Sequence, residues 1–341
     1  MIRAGARIAA GAAALLALAA CAPVSGPQQA GSEAASAPSL FVAAKRGNTL
    51  SKVDLATGEE VLRVPSCTNP HELAASPDGQ HVALACYGGT TVDIFRTDSL
   101  EKVASYELGE NARPHGIVWH ENGRIYVTAE GRQEIVEIAA LVHHAIPPPI
   151  RYATGKLGSH MLAVSPDART AWTTDLISRT VTRIDLVTRR APLSVTVGEE
   201  PEGIALAPDG KTLWVSARGS NQAFALDPQT MTVRNTVTTG AFPLRIVVRP
   251  QGDVAVTSDL ADGDLSVIDT ATAKVIRTIA VSSPQEAEAR QQVTILWSDD
   301  GARIYVAETA SDTVAEVDYV SGNVLRRLTV GEGGDGMAIL P

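Results

Sequence analysis

Residues 201–240 read PEGIALAPDGKTLWVSARGSNQAFALDPQTMTVRNTVTTG. Four short apolar runs lie in this stretch, at residues 204–207, 212–216, 222–226 and 232–237. Between them stand Pro208-Asp209-Gly210, Arg218-Gly219-Ser220-Asn221 and Asp227-Pro228-Gln229-Thr230. Residues of these types tolerate turn dihedrals or bond their own backbone, so each break reads as a tight turn. Four strands joined by such turns make one antiparallel meander. A single meander cannot bury both faces, so it needs copies of itself.

The copies are present. The first turn recurs as Ser76-Pro77-Asp78-Gly79, Ser165-Pro166-Asp167-Ala168, Arg249-Pro250-Gln251-Gly252 and Ser298-Asp299-Asp300-Gly301. The second strand recurs as LFVAAK from Leu40, VALAC from Val82, IYVTAE from Ile125, AWTTD from Ala171, VAVTSD from Val254 and IYVAE from Ile304. An aspartate closes the third strand at Asp54, Asp185, Asp227, Asp269 and Asp318, where it is expected to bond turn amides. From Asp185 to Asp227 and on to Asp269 the step is 42 residues each time, within the period of a four-stranded propeller blade.

Working outward, blade 1 has three N-terminal strands at residues 40–44, 50–54 and 60–64. Complete repeats begin near Pro70, Pro114, Ser159, Pro201, Pro243 and Gln292, and one strand is left over at residues 336–340. That strand has the pattern of a first strand. The expected fold is therefore all-β: a seven-bladed β-propeller of four-stranded antiparallel blades over residues 39–341. The C-terminal strand is expected to pair with the N-terminal blade, closing the ring and removing its open edges. Blade 3 departs from the pattern, with Ile138-Ala139 in place of the aspartate, then His143, His144 and a run of prolines at 147–149. Blade 6 carries an insertion at 282–291 whose EAEARQ tail reads as a short helical turn. Blades ending in Ser266-Val267-Ile268-Asp269-Thr270-Ala271-Thr272 resemble the YVTN family of β-propellers. The resemblance implies the fold; related propellers include lactonases, haem- and quinone-linked periplasmic proteins and plain binding proteins.

Ahead of the propeller, Arg3 and Arg7 precede an apolar run at 8–20 that meets Cys21. Residues 1–20 read as a secretory signal, too short for a spanning helix. Leu18-Ala19-Ala20-Cys21 resembles the bacterial lipobox, which implies a diacylated Cys21, palmitate-type anchoring and attachment to a lipid bilayer. Ala22 resembles the pattern of lipoproteins sent to the outer membrane, here on its periplasmic side. Residues 21–38 then form a Pro-, Gly- and Ser-rich tether. The formal charge of −9, which loss of Arg3 and Arg7 makes more negative, argues against nucleic acid as a partner.

In a propeller the first strand of each blade lines the channel, and its start lies at one mouth. In register, those starts are Asp335, His71, His115, His160, Glu202, Leu244 and Val293. Three histidines thus fall on consecutive blades, followed by a glutamate. The second strand returns to the same mouth and contributes Lys45, Cys86, Glu130, Asp175, Arg218, Asp259 and Glu308. His71, His115, His160 and Glu202 offer imidazole and carboxylate, the ligand set of zinc, copper or iron. Arg218 and Arg245, with Glu130 and Asp175, are candidate ligand-binding groups. The alternative is that the three histidines are one duplicated packing feature.

Cys67 and Cys86 remain after Cys21, and in an exported protein such a pair reads as a disulfide. The other possibility is Cys86 as a soft ligand beside His71, favouring copper. No Cys-x-x-Cys-His, Gly-x-Ser-x-Gly or Walker loop occurs. Three functions follow as expectations: a binding protein holding a transition metal or small ligand at the mouth, a hydrolase resembling propeller lactonases, or a scaffold docking an envelope protein.

Overall fold

A computed structural model describes residues 38–140 and 147–340. The expected signal and the tether up to residue 37, with Cys21, lie outside the described residues, as do His143 and His144. The described residues belong to one compact unit, Ala37–Pro341. Seven four-stranded antiparallel sheets form in chain order. The inner strands of blades 2 to 7 are Pro70–Ala75, Pro114–Trp119, Ser159–Val164, Pro201–Leu206, Pro243–Val248 and Gln292–Trp297, at the six starts expected from the repeat. The inner strand of blade 1 is the C-terminal Gly334–Leu340, which pairs antiparallel with Ser39–Ala44. This closes the ring.

Apolar side chains alternate along the strands, and each blade buries its two faces against its neighbours. Seven apolar clusters result, one in each seam between adjacent blades. Trp172 and Trp214 are fully buried in two of them, and Trp297 and Trp119 pack in two more. The aspartates closing the third strands behave as their residue type predicts. Asp54, Asp185, Asp227, Asp269 and Asp318 each accept from amides of the following turn. The blade 6 insertion is an α-helix, Pro284–Arg290, opened by a capping box between Ser283 and Glu286.

The inner strands start earlier than apolar periodicity alone suggests. In all seven blades each contains a bulge in which two residues oppose one, as between Pro201 and Ile204 or Pro243 and Ile246. A bulge adds one residue and re-aims the local side chains. Here it falls at the channel mouth in every blade, and the bulged residues include the ones in register at the mouth.

Cys67 and Cys86 are joined by a disulfide, with Cα atoms 5.7 Å apart. It ties the linker between blades 1 and 2 to the second strand of blade 2, and the Cys86 sulfur is not available as a ligand. Among the described residues no helix is long and apolar enough to cross a membrane.

Candidate functional site

The seven inner-strand starts converge as their register requires. His71, His115, His160, Glu202, Leu244, Val293 and Asp335 all line one cavity of about 370 Å³ at the channel mouth. Their backbone is held by a repeated seam contact. The hydroxyls of Thr128, Thr174, Ser216 and Ser258 donate to the carbonyls of His160, Glu202, Leu244 and Val293 in the next blade.

The second-strand ends divide into two groups, for a local reason. In blades 3 and 5 the strand stops at Ala129 and Ala217, and Glu130 and Arg218 open a single 3₁₀ turn. Gln133 and Asn221 close those turns at positive φ. Glu130 and Arg218 therefore sit beyond the sheet and reach the cavity, as does Lys45 after the strand of blade 1. Asp175, Asp259 and Glu308 are instead the last residues of their strands and fully buried. Asp175, expected as a ligand group, turns into blade 4 and accepts from Ser159, Thr173, Thr180 and Thr182. It does not line the mouth.

The three imidazoles form a stack. Ring centres of His115 and His160 lie 3.7 Å apart, tilted by 32°, and those of His71 and His115 4.8 Å apart. Tyr87, which sequence reading missed, covers the open end at 4.5 Å from His71. Because the rings stack, their nitrogens lie side by side. Among the described residues, the one set of three His, Cys, Asp or Glu donors within 4.8 Å of one another is Cys67, Cys86 and Asp93, where the sulfurs are joined to each other. The four residues expected to hold a metal share a cavity without meeting at a point.

Charge in the mouth is paired throughout. His160 Nδ1 lies 2.8 Å from Glu130 Oε2, and its Nε2 lies 3.5 Å from Glu202 Oε1. Arg245 donates to Glu202 at 2.5 Å and, across the channel, to Glu72 at 2.7 Å. Arg218 pairs with Glu202 and Glu200, and Lys45 with Asp335 at 3.1 Å. Glu72 is not among the residues expected at the mouth. The signal lay in its register: it stands one position past His71, as Arg245 stands one past Leu244.

These contacts set the protonation states. Burial pulls His160 down, but hydrogen bonds to Glu130 and Glu202 outweigh it, and its pKa ends above the ordinary value. Burial would raise Glu202, but the His160 hydrogen bond and the Arg245 guanidinium bring it down to about 2. For His115, burial and then the charges of its neighbours act in one direction, holding it well below the ordinary value. His71 is lowered by burial against the opposing pull of Asp335. His115 Nδ1 is buried and has no hydrogen-bond partner. At neutral pH the stack is thus two neutral rings beside one held toward the charged form.

No curated protein matches this chain. Solved structures do. Hydrazine synthase from Kuenenia stuttgartiensis is 16% identical over 83% of this chain and 92% of its own, with a TM-score of 0.70. A functionally unknown protein from Desulfotomaculum acetoxidans is 16% identical over 88% of this chain and 98% of its own, at 0.72. Virginiamycin B lyase from Staphylococcus aureus is 13% identical over 76% and 84%, at 0.64. Such identities establish the fold alone. The model of the YNCE-like beta-propeller family matches residues 2–341, the whole of the ring just described. The chain belongs to the YNCE-like beta-propeller family.

Proposed function

We propose that this protein is a binding protein, anchored to the outer membrane through acylated Cys21 and facing the periplasm, that holds a small ligand at its channel mouth. One observation carries the binding half of this reading. Two imidazoles, half-buried His71 and buried His115, are held below the ordinary pKa in a cavity whose charged groups are already paired. A neutral imidazole offers a lone pair to a donor group or to a transition metal such as zinc, copper or iron carried by the ligand. The Cys67–Cys86 disulfide supports export to an oxidising compartment.

The test is native mass spectrometry of protein isolated from the cell envelope, wild type against His71→Ala/His115→Ala. A bound mass or metal present in the wild type and lost in the variant is expected. The bare chain mass in both would overturn the reading. Cys21→Ser is expected to abolish palmitate labelling and move the protein out of the membrane fraction; unchanged fractionation would remove the anchor.

A second reading has its own support. Neutral His115 stacked on His160, itself held by two carboxylates, is a base beside an acid, the pair an acid–base hydrolase needs. Turnover of a lactone panel, abolished by His115→Ala with the fold intact, would establish it. Indifference of both ligand content and turnover to the histidines would leave a scaffold for an envelope protein.

A further inference from the structure

The mouth has two unlike walls. Blades 1 to 4 supply Lys45, His71, Tyr87, His115, Glu130 and His160. Facing them, blades 6 and 7 supply Phe242, Leu244, Leu260, Val293 and the Gln291 side chain, and Leu176 of blade 4 stands at the edge between the two sides. The Arg245–Glu72 contact at 2.7 Å shows directly that blade 6 lies across the channel from blade 2. Leu244 and Val293 are buried, while Leu176, Phe242 and Leu260 are half-exposed at the rim. Arg218 lies over the Phe242 ring at 5.1 Å and leaves its charge on Glu202. Leu157 and Ile177, on the blade 4 loops beside Leu176, extend the apolar side outward.

Charge and size narrow what fits between these walls. Lys45, Arg218 and Arg245 are matched by Asp335, Glu202 and Glu72, and Glu130 is held by His160. A hard cation, which takes oxygen ligands, would have to displace Arg245 or Arg218 from Glu202, and a bare anion would have to free those same guanidinium groups. Either leaves a buried charge without its partner, which is strongly unfavourable. A cavity of about 370 Å³ is also on the scale of organic-ligand pockets, far above the ~30 Å³ share of one water. His71 is engaged by the Asn69 carbonyl and Asp335. What remains without a committed partner is the His115 edge on one side and, on the other, the leucine and phenylalanine surface with the Gln291 amide at its border.

We infer that the ligand of this mouth is an uncharged organic molecule with an apolar flank against Phe242, Leu244 and Leu260 and a hydrogen-bonding edge against His115, on which His71 stacks. The inference rests on the mouth being a binding site and adds the chemical class. It assigns recognition to Phe242, Leu244 and Leu260, residues the histidine pattern does not include.

The probe for the test is 2-phenylbenzimidazole, flat and neutral at pH 7.5, with an N–H and an N on one edge. Calorimetric titration uses the full chain with Cys21→Ser, which carries no acyl group. One probe per chain is expected. Leu260→Ser and Phe242→Asn should each weaken it by about tenfold or more, the loss of one apolar contact surface. Asparagine suits position 242, whose φ is +60°. His71→Ala/His115→Ala should also weaken it, and Val320→Ser, at the opposite end of the ring, should leave it unchanged. Circular dichroism and melting confirm that each variant is folded. Zinc chloride alone is titrated in parallel. If zinc binds one per chain and the probe does not, the ligand class is wrong while the binding site stands. If the probe binds but ignores the Leu260 and Phe242 variants, the class is also wrong. If neither binds and envelope-isolated protein carries nothing, the binding reading itself falls.

Discussion

At the scale of single residues, Arg245 is the group on which the mouth depends. It is fully buried and bonded to Glu202 of blade 5 and Glu72 of blade 2. Removing one member of a buried charge set costs more than the set contributes, because the remaining charges stay buried. Arg245→Met is therefore expected to lower stability by about 3–5 kcal/mol in urea unfolding. Arg245→Met with Glu72→Gln and Glu202→Gln should recover much of that loss. A single variant as stable as wild type would show that the bridge is not formed. His160 gives a second prediction at this scale. Its pKa lies above the ordinary 6.5 and those of His71 and His115 below it, so imidazole NMR titration should separate them on opposite sides. A raised histidine contributes stability that is complete below the ordinary value and is lost as pH rises through the raised one. Glu130→Gln should shift His160 downward and remove that share of the stability; an unchanged titration would exclude the Glu130 hydrogen bond.

At the scale of the blade, the repeat contains its own control. In blades 4 and 7 the acid ending the second strand, Asp175 or Glu308, faces a threonine, Thr180 or Thr313, which donates to it. In blade 6 Asp259 faces Asp264, a like charge on the neighbouring strand. Burial, with Asp264 adding to it, pushes Asp259 up to about 7, and burial with the Asp262 charge pushes Asp264 up to about 6. Raised carboxylates hold protons in the folded state that the unfolded chain has already lost. Stability is then complete below the ordinary 3.8 and falls as pH rises through about 6 to 7. The melting temperature should drop by on the order of a few degrees across that window. Asp264→Thr, which copies blades 4 and 7, should reduce the slope and stabilise at neutral pH, leaving the share that burial of Asp259 contributes, as burial alone raises Asp175 in blade 4. A slope unchanged by Asp264→Thr would place its origin elsewhere. The same internal comparison explains what the sequence made legible. Inner-strand starts follow from turn chemistry repeated at a fixed period, so the histidine register was readable. Which second-strand ends reach the mouth was not, because Glu130 and Asp175 occupy the same place in the repeat. Only the 3₁₀ turn after Ala129, set by Gln133 at positive φ, separates them. Phe242 and Leu260 lie in loops outside the strand pattern, so the apolar wall had no periodic signal.

At the scale of the whole molecule, seven seams of similar make each join only neighbouring blades, so the ring is held by closure as much as by any one core. The closing element is Gly334–Leu340, paired with Ser39–Ala44 and contributing Met337 to the seam with blade 7. It also brings Asp335 to Lys45 and His71. Ending the chain after Gly333 exposes the Ser39–Ala44 edge, a template for pairing with other chains. The truncated protein is expected to aggregate or melt without a sharp transition by size-exclusion and thermal unfolding. A synthetic peptide of residues 334–340, supplied during refolding, should occupy the open edge and restore a monomeric, cooperatively melting ring. The same peptide with Gly336→Ala should fail. A Cβ at Gly336 would stand 2.7 Å from Glu72 Cα and overlap the His71 carbonyl oxygen, both in the next inner strand. Rescue by the wild-type peptide alone would tie ring closure and the position of His71 to one close backbone approach. A truncated chain that stays monomeric and melts as wild type would show that the adjacent seams suffice without closure.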